Sequence, residues 1–337
     1  MKYLAIGLLA LVPICSAATA GGIFAGKSRF DLDREDIKLF VDEVSRRNSL
    51  DRENVYLLLA KAEPQPKIIE AMSRPAEKVS PWYEYRKRFL TEQRIREGVQ
   101  FWQAHRELLD RVAGERGVPP EYIVAILGVE TFYGRITGKY RVIDALATLA
   151  FDYPPRQAFF RGELENFMLL ARQEAVDPLV ALGSYAGAMG APQFMPSSYR
   201  RYAVDGGGDS RRDLFLEWDD VVASIANYFR EHGWQPGQDV LIEAKVAPEV
   251  QLGLDPRNLE LKETIDSARA KGVTFESTLA GDTPVILIPA ELADGMSVRV
   301  GLRNFQVITR YNRSIRYAMA VHDLAQALAA RVYKADE

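Results

Sequence analysis

The chain has 337 residues, 47% of them hydrophobic and 26% charged, with a formal net charge of -3. This is enough apolar material for a full core in one large domain or two closely joined ones, and it excludes a disordered chain. The small negative charge, with Lys and Arg dispersed along the sequence, argues against a nucleic-acid partner.

The N-terminus has the pattern of an export signal. Lys2 precedes an apolar run from Tyr3 to Ile14 and then small residues, with Ala18-Thr19-Ala20 as an A-x-A-like cleavage site. The run is too short to span a bilayer, so residues 1–20 are expected to be removed and the protein to be periplasmic or otherwise exported; an uncleaved anchor is the alternative. The single cysteine, Cys15, falls in this segment, which leaves the mature chain without a disulfide. Lipidation at Cys15 would anchor the protein to the membrane, the outer membrane included, but Ile14 stands where a bacterial lipobox carries Gly or Ala.

Asp31 and Asp33 precede Ile37, Phe40, Val41 and Val44 at helical spacing, and a second short helix is expected from residue 52 to 62. Pro64, Pro66, Pro75 and Pro81 punctuate a segment carrying Trp82, Tyr83 and Tyr85, which reads as a loop wrapping the main body. One long amphipathic helix is expected from Thr91 to Arg116, ending near Gly117. Pro119-Pro120 fits the start of the next helix, where Ile123, Ile126 and Leu127 recur at helical spacing and Glu130 falls in the last turn before Phe132, Tyr133 and Gly134. A carboxylate there faces the negative end of the helix dipole, and burial among aromatic rings acts in the same direction, so both favour a protonated acid near neutral pH. The plain alternative is an end-of-helix glutamate paired with Arg135.

Helices are then expected at 144–149 and 156–175. The stretch Gly183 to Pro196 places glycines, a hydroxyl, an amide and aromatic groups together, as a cleft lining or a tight turn would. Asp219 or Asp220 caps a helix through Val222, Ile225, Tyr228 and Phe229. Short β-rich runs at 240–242, 285–288, 298–300 and 305–308, with a helix at 261–270, indicate a small sheet-bearing insertion, and a final helix at 314–332 returns to the helical body.

The three histidines, His105, His232 and His322, are scattered and form no H-E-x-x-H pattern, and there is no G-x-S-x-G elbow, P-loop or dinucleotide fingerprint. What remains is carboxylate acid/base chemistry in a cleft rich in aromatics, a combination suited to sugar polymers.

The runs Gly128-Val129-Glu130-Thr131-Phe132-Tyr133-Gly134, Asp144 to Leu149, Gly187 to Tyr199 and Ile308-Thr309-Arg310-Tyr311-Asn312 resemble the membrane-bound lytic murein transglycosylase B family, the family-3 lytic transglycosylases, over nearly the whole chain from Asp31 to Val332. The resemblance implies a mainly α fold: a lysozyme-like helical catalytic core with an additional helical domain and a small β-containing insertion. On that basis the expected segments are 21–118, N-terminal helical and wrapping; 119–235, catalytic core; 236–310, β-containing insertion; and 311–337, returning helix.

It also implies cleavage of peptidoglycan glycan strands between N-acetylmuramic acid and N-acetylglucosamine, with Glu130 acting first as acid and then as base to leave 1,6-anhydromuramoyl ends. Ser184 and Gln193 match polar groups beside the glutamate; Tyr85, Tyr228, Tyr311 and Tyr317 match cleft walls; Arg156 matches a residue facing the stem peptide, although Pro155 replaces an expected second arginine. The reaction needs no cofactor. Asp205, Asp209 and Asp220 are candidate Ca2+ ligands in a degenerate EF-hand-like loop, in which Gly207 offers no side-chain oxygen and Ser210 replaces the glycine of the sixth position. Other cell-wall enzymes are candidate partners. A water-admitting muramidase, a non-catalytic peptidoglycan-binding scaffold and a calcium-regulated structural protein remain as alternatives.

Overall fold

The computed structural model describes residues 29–73, 80–247, 250, 252–255 and 257–336. The export signal, its cleavage site and Cys15 lie outside the described residues. Helix α1 (Glu35–Asn48) buries Ile37, Phe40, Val41 and Val44 on one face, as the spacing requires, and α2 (Arg52–Ala60) starts where the Asp51 side chain accepts the Asn54 N–H. The proline-rich segment, expected as loop, contains two short helices, α3 (Pro66–Ser73) and α4 (Trp82–Lys87). Pro66 opens α3 and Pro81 immediately precedes α4, positions where a missing N–H costs no helical bond. The expected long helix is two, α5 (Glu92–Ala104) and α6 (Arg106–Arg116), because His105 leaves helical geometry with its N–H shared between the Phe101 and Trp102 carbonyls.

Then come α7 (Pro120–Thr131), β1 (Tyr140–Arg141), α8 (Val142–Asp152), a single 3-10 turn at Pro154–Arg156, α9 (Gln157–Gln173), β2 (Leu182–Gly183), α10 (Pro196–Tyr202) and α11 (Trp218–Glu231). The sheet-bearing region holds β3 (Leu241–Val246), β4 (Glu263–Thr264), α12 (Ile265–Ala270), β5 (Val273–Thr274), β6 (Pro284–Leu292) and β7 (Gly295–Gly301), and the chain continues through α13 (Arg303–Tyr311) and α14 (Ile315–Asp336). Residues 305–308, expected as strand, belong to α13. A four-residue apolar run has no period of its own. Tertiary contacts decide it: buried Asn304 donates to the Gln235 and Gln238 carbonyls, and Arg303 bonds Gln306 one turn on.

Among the described residues the chain divides into two units, one of residues 29–73 and 134–221, the other of 80–133 and 222–336. In the first, α8 is buried along almost its whole length and packs on α9 and α3. Its Asp144, 3% exposed, takes two hydrogen bonds from Arg141 and one from the Glu63 N–H, while Thr148 accepts the Gln65 N–H, so one helix face fastens the chain leading into α3. In the second, α7 packs against α14, α5 and α6. An antiparallel sheet of order β4-β6-β7-β3-β5 shares this unit, with α12 closing a separate apolar cluster of Ile265, Ala268, Val285, Leu287, Val298 and Val300. The fold is mainly α, with its principal sheet confined to one unit.

Candidate active site

Helix α7 buries every residue from Tyr122 to Gly128, which fixes its rotation and leaves Glu130, next to last in the helix, partly open to solvent. The helix ends abruptly. Phe132 and Tyr133 adopt left-handed backbone with φ of 52° and 60°, and the Tyr133 N–H returns to the Leu127 carbonyl at 3.0 Å, the six-residue closure of a Schellman turn. Left-handed geometry costs a non-glycine residue roughly 1–2 kcal/mol, so two in succession beside Glu130 must be held by their surroundings. The Tyr133 ring provides part of that hold. Its hydroxyl donates to the Arg94 carbonyl at 2.8 Å, and its ring lies so close to α7 that a Cβ on Gly128 would stand 2.8 Å from the hydroxyl oxygen.

Glu130 accepts a hydrogen bond at 2.6 Å from the hydroxyl of Tyr317, a buried residue in the first turn of α14. Burial pushes the Glu130 carboxyl up to about 7, with the Tyr317 bond, which favours the ionised form, pulling the other way. Among the described residues of this unit, neither a cation nor a second carboxylate enters that balance. The group therefore exchanges between its protonated and ionised forms near neutral pH, the range in which a general acid or base works best.

Two further expected tyrosines join Tyr317 there. Tyr85 of α4 is pushed up to about 12 by burial and then by the charge of Glu130; Tyr311 and Tyr317 are held well above the ordinary phenol value by the same two causes in the same order. All three phenols keep their protons and offer O–H groups around the acid. Tyr228 stands behind: its ring lies 4.8 Å from that of Tyr311 and 4.1 Å from that of His232, and its hydroxyl donates to the Arg310 carbonyl at 2.7 Å. It braces Tyr311. A cavity of about 710 Å³ in the same unit opens at the other end of α7, beside Glu121, Tyr122 and His322, and includes none of these residues.

Ser184, Gln193 and Arg156 lie in the other unit. The Ser184 hydroxyl accepts the Ala186 and Ala188 N–H groups at 3.3 and 3.1 Å, and Gln193, with φ of 53°, donates to the Thr137 and Gly190 carbonyls at 3.0 and 2.9 Å. Both side chains thus shape the glycine-rich turn. The turn is packed backbone to backbone: a Cβ on Gly138 would lie 2.0 Å from the Gly183 carbonyl. Arg156 sits over the Phe159 and Phe160 rings at 4.3 and 5.2 Å.

In the aspartate loop the candidate calcium ligands are engaged by backbone amides. Asp205 accepts the N–H groups of Gly208, Asp209 and Ser210; Asp209 accepts that of Arg211; Asp220 accepts those of Gly206, Gly207 and Asp213. These bonds hold the turn itself, and among the described residues no group of three or more His, Cys, Asp or Glu is placed to hold a metal.

Sequence reasoning missed Arg94. From α5 its guanidinium lies 4.9 Å from the Phe132 ring and 5.3 Å from the Phe89 ring, and it donates to the Arg88 carbonyl. Nothing in a lone arginine on an amphipathic helix signals this.

The family model described as a transglycosylase SLT domain matches residues 33–326. The chain is 43% identical over 302 residues to the membrane-bound lytic murein transglycosylase B of Escherichia coli strain K12, covering 86% of this chain and 81% of that protein. Catenated lytic transglycosylase SltB1 of Pseudomonas aeruginosa superposes with a TM-score of 0.86 at 46% identity, over 89% of this chain and 98% of that one. The Escherichia coli lytic transglycosylase Slt35 in complex with bulgecin A gives 0.84 at 40% identity, over 90% and 96%. With the lysozyme-like fold and the peptidoglycan-cleaving activity that this likeness carries, the chain belongs to the lytic transglycosylases of the SLT-domain family.

Proposed function

We propose that Glu130 alone carries both proton transfers of the transglycosylase reaction. Neutral at rest, it protonates the glycosidic oxygen between N-acetylmuramic acid and N-acetylglucosamine; as that bond breaks, the electron pair leaves with the departing sugar and an oxocarbenium-like centre forms at the muramoyl C1. The N-acetyl oxygen of the substrate stabilises that centre. Ionised Glu130, now steadied by the Tyr317 hydroxyl, takes the proton from the muramoyl O6 hydroxyl, and O6 closes on C1 to give the 1,6-anhydro end. No water is consumed.

The observation that carries this reading is a carboxyl that is only partly open to solvent and is pushed up to about 7 by desolvation, with one phenol as its hydrogen-bond donor. A glycosidase of the usual kind needs a second carboxylate as nucleophile or base, and among the described residues of this unit none contributes to the balance at Glu130. Ser184, Gln193, Tyr85, Tyr228, Tyr311 and Arg156 serve substrate binding in this reading. The sequence of the N-terminus and the membrane-bound relative together support action at the cell envelope after export; no helix among the described residues is long and apolar enough to cross a membrane. Digestion of purified sacculi followed by mass spectrometry tests the reaction. Anhydromuramoyl ends are expected, absent with Glu130→Gln; reducing muramic acid ends would favour a hydrolase, and turnover by Glu130→Gln would sink the assignment.

A further inference from the structure

The clamp at the end of α7 has a chemical purpose beyond ending a helix. Only Thr131 separates Glu130 from Phe132, and the direction of the Glu130 side chain depends on how the last turn closes. That closure is the strained left-handed pair Phe132 and Tyr133, and both are held from α5 at the same residue. The Arg94 carbonyl accepts the Tyr133 hydroxyl at 2.8 Å, and the Arg94 guanidinium covers the Phe132 ring at 4.9 Å. The guanidinium is itself fixed, bonded to the Arg88 carbonyl and lying 5.3 Å from the Phe89 ring. Its buried Nε has no hydrogen-bond partner, a desolvation cost that a merely solvated arginine would not bear. An arginine kept half inside an aromatic sandwich is held there against that cost by what it packs on.

The geometry points to Arg94 as a positioning residue for Glu130: by holding Phe132 and Tyr133 in the left-handed turn, it sets the angle at which the carboxyl meets the glycosidic oxygen and keeps water from the closing end of α7. This rests on Glu130 being the acid. Arg94 itself touches no reacting atom. Of the groups facing the acid, Tyr317 by its hydrogen bond and Tyr311 through its charge belong to other elements, whereas Tyr85 packs 5.3 Å from the Phe89 ring that Arg94 also covers, so Phe132→Gly is the cut that leaves Arg94 on Phe89.

Two substitutions cut the clamp from opposite sides. Arg94→Met keeps an apolar stem between the rings and removes the cation. Phe132→Gly removes the ring and relieves the backbone, since glycine accepts φ of 52° without strain, so it folds even if Arg94→Met does not. On soluble glycan strands each is expected to lower kcat about tenfold with KM within about twofold, because a misdirected acid slows chemistry and leaves binding intact. The alkaline limb of the pH profile moves to lower pH as water reaches Glu130. The double variant is no slower than either single within about threefold, since both break one device. An unchanged kcat in folded Arg94→Met, a rise in KM alone, an unmoved pH limb or losses that multiply in the double variant would each overturn the role. Glu130→Gln run alongside separates the two readings: turnover there removes the acid assignment, whereas a dead Glu130→Gln beside a normal Arg94→Met removes only the positioning role.

Discussion

Replacing Tyr317 by Phe removes one hydroxyl and leaves the ring that fills the site, so it isolates the 2.6 Å hydrogen bond to Glu130. A hydrogen bond to a charged group contributes about 1.5–3 kcal/mol, and this one favours the ionised carboxylate over the neutral acid. At about 1.4 kcal/mol per pKa unit, its loss should raise Glu130 by at least about one unit above its present value near 7. The sign follows from the two opposing causes: burial, which raises the value, remains, and the one lowering contribution disappears. In the pH dependence of kcat/KM on glycan strands, the alkaline limb, where the acid loses its proton, should therefore move upward by about one unit. Turnover near neutral pH should fall about tenfold, because the carboxylate that must recover the O6 proton has lost its donor. A limb that stays in place would mean that the bond does not bias the proton on Glu130, and a limb that moves down would mean that the hydroxyl, and not the ring alone, excludes water.

Burial of Glu130 also has a cost in stability. Its folded value lies above the ordinary carboxylate value, so the contribution is favourable below pH about 4.5 and is lost as pH rises through about 7. Glu130→Gln should thus melt with the native chain at pH 4 and be more stable by about 2–3 kcal/mol at pH 8, read by urea unfolding at both pH values; equal stability at pH 8 would contradict the burial. Gly128→Ala should cost about 1–3 kcal/mol, because its Cβ would meet the Tyr133 ring at 2.8–2.9 Å, and should lower turnover by shifting the helix end; a neutral melting temperature would show that the ring can yield. Millimolar CaCl2 or EDTA should leave the melting temperature within about 1 °C, since the carboxylates of the aspartate loop are engaged by backbone amides; a rise of several degrees with calcium would reverse that view.

The sequence made Glu130 legible because its signals are local. A proline start, a helical period and an aromatic pair past the last turn place a carboxylate at a helix end from neighbours alone. Its strongest partner was not legible in that way: Tyr317 stands 187 residues on, and no local rule links a tyrosine in one helix to a glutamate in another. The family resemblance named Tyr317, and the hydrogen bond gave it a role. The errors in secondary structure share this cause. His105 divides an otherwise continuous amphipathic pattern, and residues 305–308 are helical because Asn304 and Gln306 find carbonyls far along the chain at Gln235, Gln238 and Leu259.

Arg94 shows the limit most clearly. On its own helix it occupies an unremarkable charged position, and its meaning arises only where Phe132 and Tyr133 turn back beneath it. A left-handed turn built from two aromatic residues is locally disfavoured, so propensity alone does not anticipate it. The chain tolerates the strain because packing over-determines the turn, and the strain falls beside the one carboxyl whose direction matters to the chemistry. Local rules thus fail at the end of α7 for a physical reason: the geometry there is set by a ring and a cation brought from another helix, and serves the acid two residues before it.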